Sequence, residues 1–320
     1  MKKNFWLKIK KPILALAPLA GFTDSAFRQI CVAQGAAVLY SEMASAAALY
    51  YLEKGKKKGV DREATLDILK FNRRKEKNYV VQLFGSNPEH FAAAARIVTK
   101  KIRPYGIDIN FGCPVPKICK QGAGAGLMKD LARSRAAIEA VLANTDLPVS
   151  IKIRTQSGEV DALAFMKNIA DLPISALMIH GRSLKQGFAG PADFSLIKKI
   201  RPYFKGLILA NGGINNLADA QRVLKDSGAD GLGLGRGALG RPWLFQEIKK
   251  GKTLDWPLKK IFKIALDHAT LEKKLKGEGA MIELRKHLVW YVQGMRGASD
   301  LRSRLVKVSS LKDIKEILKI

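Results

Sequence analysis

The chain has 320 residues, of which 47% are hydrophobic and 26% charged, a composition that excludes a disordered or fibrous polymer and suits one large domain with a smaller one. Its 56 lysines and arginines against 28 acidic residues give a formal charge of +28, which points to a polyanion such as nucleic acid, although runs like Lys56-Lys57-Lys58 also serve plain solubility. Three cysteines with no framework spacing exclude a disulfide scaffold and suit a reducing, cytoplasmic compartment.

Lys2, Lys3, Lys8, Lys10 and Lys11 before the apolar Ile13 to Ala17 mimic a signal peptide, but Pro18 cuts the run short. No apolar run reaches bilayer-spanning length, so no membrane is expected. Ile13 to Ala17 reads instead as a first buried strand, ended by Pro18-Leu19-Ala20-Gly21, and Thr23 or Asp24 can cap a helix running towards Gly35. Ala37 to Ser41 is a second strand, followed by a helical Ala44 to Leu52 and an exposed basic loop over Lys54 to Arg62. Tyr79 to Phe84 is the third, and Ser86-Asn87-Pro88-Glu89 starts a helix to about Lys101.

The pattern then repeats. A fourth strand, Tyr105 to Ile109, delivers Asn110, and Leu131 to Asn144 is a helix leading to a fifth strand, Pro148 to Ile153. Glu159 to Asp171 reads as helix, Ala176 to His180 as the sixth strand and Gly206 to Ala210 as the seventh. Leu217 to Ser227 is helical, and Gly231 to Gly235 is the eighth strand. Eight near-continuous apolar strands alternating with helices imply an α/β fold, a parallel (β/α)8 TIM barrel, over residues 1–248. A doubly wound open sheet is the alternative. Polar residues gather at strand ends, namely Gln82, Asn110, Lys152, His180, Asn211 and Gly235-Arg236, and in a barrel such ends converge on one mouth.

Beyond Trp256 the pattern is helix only, with Leu258 to Leu275, Met281 to Tyr291 and Leu311 to Ile320, so residues 249–320 form a smaller all-helical domain. Arg285, Lys286 and His287 beside Trp290 and Tyr291 interleave cations and aromatics as an RNA-contacting helix does, though aromatics docked on the barrel would give the same pattern.

Chemistry centres on Asn110-Phe111-Gly112-Cys113-Pro114, where Gly112 and Pro114 end the strand and leave a thiol on a turn. Free cysteines are often merely buried, but an ordinary thiol is protonated at neutral pH, so Cys113 can donate a proton or, with a lowered pKa, act as a nucleophile. Cys113 and Cys119 lack the further ligands of a zinc or iron–sulfur centre, and no metal site is expected. Asn211-Gly212-Gly213 and Gly235-Arg236 match a barrel phosphate site. Lys152 suits the negative charge of a reduced flavin, Gln82 and Asn110 its polar edge, and His180 the wall beside it.

These motifs resemble the bacterial tRNA-dihydrouridine synthase family over nearly the whole chain. The resemblance rests on Ala17 to Asp24, Val81 to Gly85, Asn110 to Pro114, Lys152-Ile153-Arg154, His180-Gly181-Arg182, Asn211-Gly212-Gly213, Gly235 to Ala238 and Gly240 to Trp243, with Arg285 to Leu288 and Trp290-Tyr291 in the tail. It implies FMN held by Pro18, Leu19, Ala20, Gln82, Asn110, Lys152, His180, Asn211, Gly212, Gly213, Gly235 and Arg236, with NADPH, or alternatively NADH, as reductant. It further implies reduction of the C5–C6 double bond of a tRNA D-loop uridine, with hydride to C6 from the flavin and a proton to C5 from Cys113. Arg182, Arg285, Lys286 and His287 are assigned to the tRNA, the one macromolecular partner expected. Leu19 and Phe111 stand where methionine is common, and Gly213 where an acidic residue is frequent. The Arg-Lys-His helix is most similar to the B-type enzymes, which implies a uridine near nucleotide seventeen. A related barrel acting on free pyrimidines, or a non-catalytic RNA-binding barrel, would be the competing readings; the basic tail disfavours the first.

Overall fold

The computed structural model describes residues 4–55 and 62–319. Eight parallel strands close into a barrel, in the order β1-β10-β9-β8-β5-β4-β3-β2. The barrel strands are β1 (Ile13–Leu16), β2 (Val38–Ser45), β3 (Tyr79–Phe84), β4 (Gly106–Asn110), β5 (Val149–Arg154), β8 (Ala176–His180), β9 (Leu207–Asn211) and β10 (Gly231–Leu234). A small antiparallel ribbon, β6 (Gln156–Ser157) with β7 (Val160–Asp161), follows β5. The ribbon is the main departure among the strands: it takes the start of the helix expected from Glu159, which begins instead at Ala162. β2 also runs to Ser45, so the next helix, Ala46–Glu53, starts later than its alanine content suggests. The basic loop expected after it falls largely on residues 56–61, outside the described residues.

Successive strand residues point to opposite faces. Ile13, Ala15 and Ala17 therefore face the barrel interior, where Trp6 joins them with Tyr40, Met178 and Leu209, while Leu14 and Leu16 join the larger core between strands and helices. Burial on both faces explains why the strands read as unbroken apolar runs. The register also places the polar strand ends side by side: Gln82 pairs with Asp108, Asn110 with Lys152, Arg154 with His180, His180 with Asn211, and Asn211 with Gly233.

The Pro18 to Asp24 turn is held over this rim by helix Ser25–Ala33. Asp24 caps that helix, its Oδ1 accepting from the Phe27 amide at 2.9 Å. Arg28, fully buried, donates to Glu76 Oε2 at 2.7 Å, to the Thr23 carbonyl at 2.7 Å and to the Lys70 carbonyl at 2.8 Å, and lies over the Tyr79 ring. The C-terminal helices Leu258–Lys276, Ala280–Tyr291, Ala298–Leu305 and Leu311–Leu318 share a second core, with Ile261, Ala265, Leu284, Leu288 and Ile314 among its members. Ala298–Leu305 is not foreseen from the sequence because its short, charged surface carries only one buried residue, Leu305. No helix of the described residues is long and apolar enough to cross a membrane.

The Arg28–Glu76 pair yields a stability prediction. Replacing Glu76 by Gln leaves a buried guanidinium without its counter-charge and should destabilise the fold by about 3 kcal/mol. Urea unfolding should show a lower midpoint with an unchanged slope; an unchanged midpoint would mean that the pair does not hold the turn.

Candidate active site

The strand ends open into one cavity lined by the Ala17 to Ala20 turn, Gln82, Asn110, Cys113, Lys152, Arg154, His180, Arg182, Asn211 to Asn215, Gly233 and Gly235 to Gly237. Every cofactor candidate from the sequence lies on this wall. A cavity at the C-terminal mouth of a parallel barrel is where this architecture places its chemistry.

A chain of hydrogen bonds fixes the Cys113 side of the wall. Ser150 Oγ donates to Asp108 Oδ1 at 2.6 Å, Gln82 Nε2 to Asp108 Oδ2 at 2.7 Å, and Asn110 Nδ2 to Gln82 Oε1 at 2.8 Å. Asn110 Oδ1 in turn accepts from the amides of Gly112 at 3.0 Å and Cys113 at 2.8 Å. The Cys113 carbonyl is held from the other side by the Ala125 amide at 3.1 Å and the Cys119 thiol at 3.3 Å. Gly124, at φ +57°, passes so close that a Cβ there would sit 2.9 Å from the Cys113 Cβ. This is what the glycine-rich run behind the motif does: it lets the following loop close over the cysteine. Cys113 is left 9% exposed, and burial raises its pKa above that of an ordinary thiol, with hydrogen bonding and the Arg154 and Lys152 charges opposing. The thiol is therefore protonated at neutral pH.

Asp108 is a group that the sequence reading passed over, although a carboxylate inside Gly-Ile-Asp-Ile-Asn is itself a signal. Burial lifts its pKa to about 6, against the pull of Ser150, Gln82 and Lys152. Lys152 moves the opposite way, down to about 8, through burial and the like charge of Arg154, partly offset by Asp108. Burial and the Lys152, Arg154 and Arg182 charges hold His180 neutral, at about 2. The Arg182 amide lies 3.3 Å from His180 Nδ1, which makes Nδ1 the acceptor and Nε2 the protonated nitrogen. Gly212, at φ +103°, brings its backbone against that ring: an added Cβ would meet Nε2 at 2.9 Å.

Arg154 braces the wall. Its Nε donates to the Gly112 carbonyl at 2.8 Å, and its Nη1 donates to the Ser183 and Gly187 carbonyls, both at 2.9 Å, tying the cysteine turn to the loop after β8. From that loop the exposed Phe188 packs against the Arg236 guanidinium at 4.5 Å.

The residues assigned to RNA are not placed alike. His287 is 1% exposed, packed between Phe22, Phe27 and His268, so it is a buried junction residue and not a surface contact. Its position shows why: it shares an apolar stripe with Leu284, Leu288 and Tyr291, a helical spacing visible in the sequence. Arg182, 9% exposed with Nε on the Gly190 carbonyl at 2.8 Å, belongs to the cavity wall. Arg285 donates to the Val308 and Lys307 carbonyls and ties helices together. Lys286 lies over the Phe22 ring and beside Gly21, the residue that follows the cavity-lining turn Ala17 to Ala20.

The sequence profile of the family described as "Dihydrouridine synthase (Dus)" matches residues 15–320. The chain belongs to the dihydrouridine synthase family. It is 34% identical over 308 residues to tRNA-dihydrouridine synthase B of Pseudomonas syringae pv. tomato, covering 91% of this chain and 85% of that protein. Its likeness to tRNA-dihydrouridine synthase B of Vibrio cholerae is also 34%, over 299 residues, covering 90% of this chain and 89% of that one. Among solved structures, 2-naphthoyl-CoA reductase superposes with a TM-score of 0.58 at 13% identity, covering 79% of this chain and 53% of that one. The TcOYE structure gives 0.54 at 11% identity, covering 78% and 92%. At such identities the likeness is one of fold, the closed barrel.

For this Dus family chain the protonation state of Cys113 is directly measurable. Iodoacetamide labelling followed by mass spectrometry should give a rate at Cys113 that climbs only above the pH at which a free thiol ionises. A midpoint below that of glutathione would show a thiolate and remove the proton-donor role.

Proposed function

We propose that this protein is an FMN-dependent tRNA-dihydrouridine synthase that reduces the C5–C6 double bond of a D-loop uridine, with NADPH, or alternatively NADH, as the source of reducing equivalents. The observation that carries the reading is the buried Cys113 side chain clamped through its backbone at the rim of a barrel mouth lined by Lys152, Arg154, Arg182 and Arg236.

The wall fits the cofactor. Arg182 and Arg236 lie on one cavity, and the like charge of Arg236, after burial, lowers the pKa of Arg182. Two neighbouring guanidiniums suit an anion such as a terminal phosphate, with Asn211, Gly212, Gly213 and Gly235 supplying backbone that can approach it closely. Pro18, Leu19, Ala20, Gln82, Asn110, Lys152 and His180 would hold the ring. The Gln82 amide keeps an N–H for it, since it spends one donor on Asp108, whereas Asn110 directs its Nδ2 to Gln82 Oε1 and, weakly, to Met43 Sδ at 3.8 Å. When bound, FMN supplies the hydride that C6 of the base receives.

The protein's own part is positioning and proton supply. Cys113 holds a proton on Sγ for C5, so one hydride and one proton together saturate the double bond; the thiolate left behind then recovers a proton from solvent. Asn110 fixes the thiol by its backbone, and Lys152 places a positive charge where negative charge develops. The loop of a folded tRNA can present an unstacked base to such a mouth at lower cost than a duplex.

We assign residues 249–320 to holding the tRNA, with Lys286 beside Gly21 and a cleft between the barrel and the helices, lined by Arg236, Arg241, Trp243, Trp290 and Gln293, running from the cavity. The formal charge of +28 would supply affinity for the backbone. Likeness to B-type relatives supports a uridine near nucleotide seventeen, and the cytoplasm is the natural compartment for this substrate.

Two outcomes test the roles. Cys113→Ala should keep flavin absorbance and tRNA binding but lose dihydrouridine formation by at least about a hundredfold, the usual range for a positioned acid; unchanged turnover would exclude the thiol as donor. Lys152 is charged below pH about 8 and neutral above it, so the rate of base reduction should fall as pH rises through that value. Lys152→Met should be slow and lack that limb, and a limb that survives the substitution would assign it elsewhere.

A further inference from the structure

On the flank of the barrel, where helix Ser25–Ala33 meets helices Leu258–Lys276 and Ala280–Tyr291, the structure encloses polar side chains that the proposed reaction does not use. Asp24 comes from the barrel. His268 and Glu272 are four residues apart on one helix and so share a face. His287 lies edge-on to His268, with ring centroids 4.7 Å apart. All four are buried, and one ligand atom each from Asp24, His268 and Glu272 lies within 4.8 Å of the others.

Hydrogen bonding there is incomplete. His268 Nε2, Glu272 Oε2 and both ring nitrogens of His287 are buried without a partner, whereas buried polar atoms are normally satisfied. His268 Nδ1 is paired with the Tyr291 hydroxyl at 3.2 Å, which fixes the ring and leaves Nε2 as its free ligand atom.

We propose that this junction binds one divalent transition-metal ion of the zinc class, held by Asp24, His268 and Glu272 with His287 beside them as the fourth ligand. Imidazole and carboxylate donors favour such an ion over magnesium, and two ligands spaced i, i+4 on a helix are a recurrent way to present them. Tetrahedral ligands at about 2.1 Å from an ion lie about 3.4 Å apart, so the cluster must tighten by side-chain rotation. The competing cation is Lys276, whose ammonium lies 2.8 Å from Asp24 Oδ2 and 2.7 Å from Glu272 Oε1. It also reaches the exposed Glu283 at 3.0 Å, which gives it a place to retreat. The ion would cross-link barrel and helices. Sequence reading cannot find the site because Asp24 stands more than two hundred residues before its partners.

The test uses the full chain carrying Cys31→Ala, Cys113→Ala and Cys119→Ala to remove all three thiols, stripped with chelator and titrated with Co2+, Zn2+ or Mg2+. One equivalent of Co2+ should give visible bands that Zn2+ displaces, and Zn2+ but not Mg2+ should raise the thermal unfolding midpoint. Glu272→Gln and His268→Gln should each abolish both effects, and Lys276→Met should tighten Co2+ binding and be stabilised by Zn2+. Absence of stoichiometric bands, bands that persist in the Glu272 or His268 variants, or a Lys276→Met protein that Zn2+ does not stabilise would overturn the proposal and leave Lys276 as the resident cation. Should the first two variants fail to fold, the parent titration and Lys276→Met decide alone.

Discussion

One run of hydrogen bonds, from Ser150 through Asp108, Gln82 and Asn110 to the amide of Cys113, crosses three neighbouring strands and sets the geometry on which the mouth depends. It works because parallel register puts Gln82 beside Asp108 and Asn110 beside Lys152, so that side chains of adjacent strands meet without a loop between them. A buried carboxylate sits at its middle, and each amide is oriented by what its neighbour offers. The cysteine turn inherits that rigidity, and Gly124 lets the following loop seal it from behind.

Electrostatics follow from the same burial. Cys113 is pushed towards the thiol and His180 towards neutral imidazole, while Lys152 keeps its proton at neutral pH with Asp108 nearby. The mouth thus presents positive charge from Lys152, Arg154, Arg182 and Arg236, together with a weak acid that has not been converted to a nucleophile. A protonated thiol beside fixed cations is suited to giving a proton where negative charge develops, and poorly suited to covalent attack.

Much of this was legible in the sequence for identifiable reasons. Barrel strands are covered on both faces, so Tyr79–Phe84 and Ala176–His180 appear as plain apolar runs, and polar residues at their ends stand out. Thr23-Asp24 and Ser86-Asn87-Pro88-Glu89 mark helix starts, and the caps proper are Asp24 and Asn87. What was hidden depended on long-range contact. Arg154 reads as one more cation until its carbonyl partners on the loop after β8 are seen. His287 and Arg285 read as an RNA surface because a basic cluster suggests solvent, yet one fills the junction and the other ties helices together. The apolar stripe from Leu284 to Tyr291 was the available sign for His287, and charge outweighed it.

The measurement that bears most directly on the whole account is dihydrouridine formation by the purified, FMN-loaded protein with NADPH on unmodified tRNA transcripts, with the product mapped to its nucleotide and free uridine and orotate run alongside. The account predicts product within the D-loop, near nucleotide seventeen, and none from the small pyrimidines. Turnover of a free pyrimidine with none on either transcript or native tRNA would contradict it.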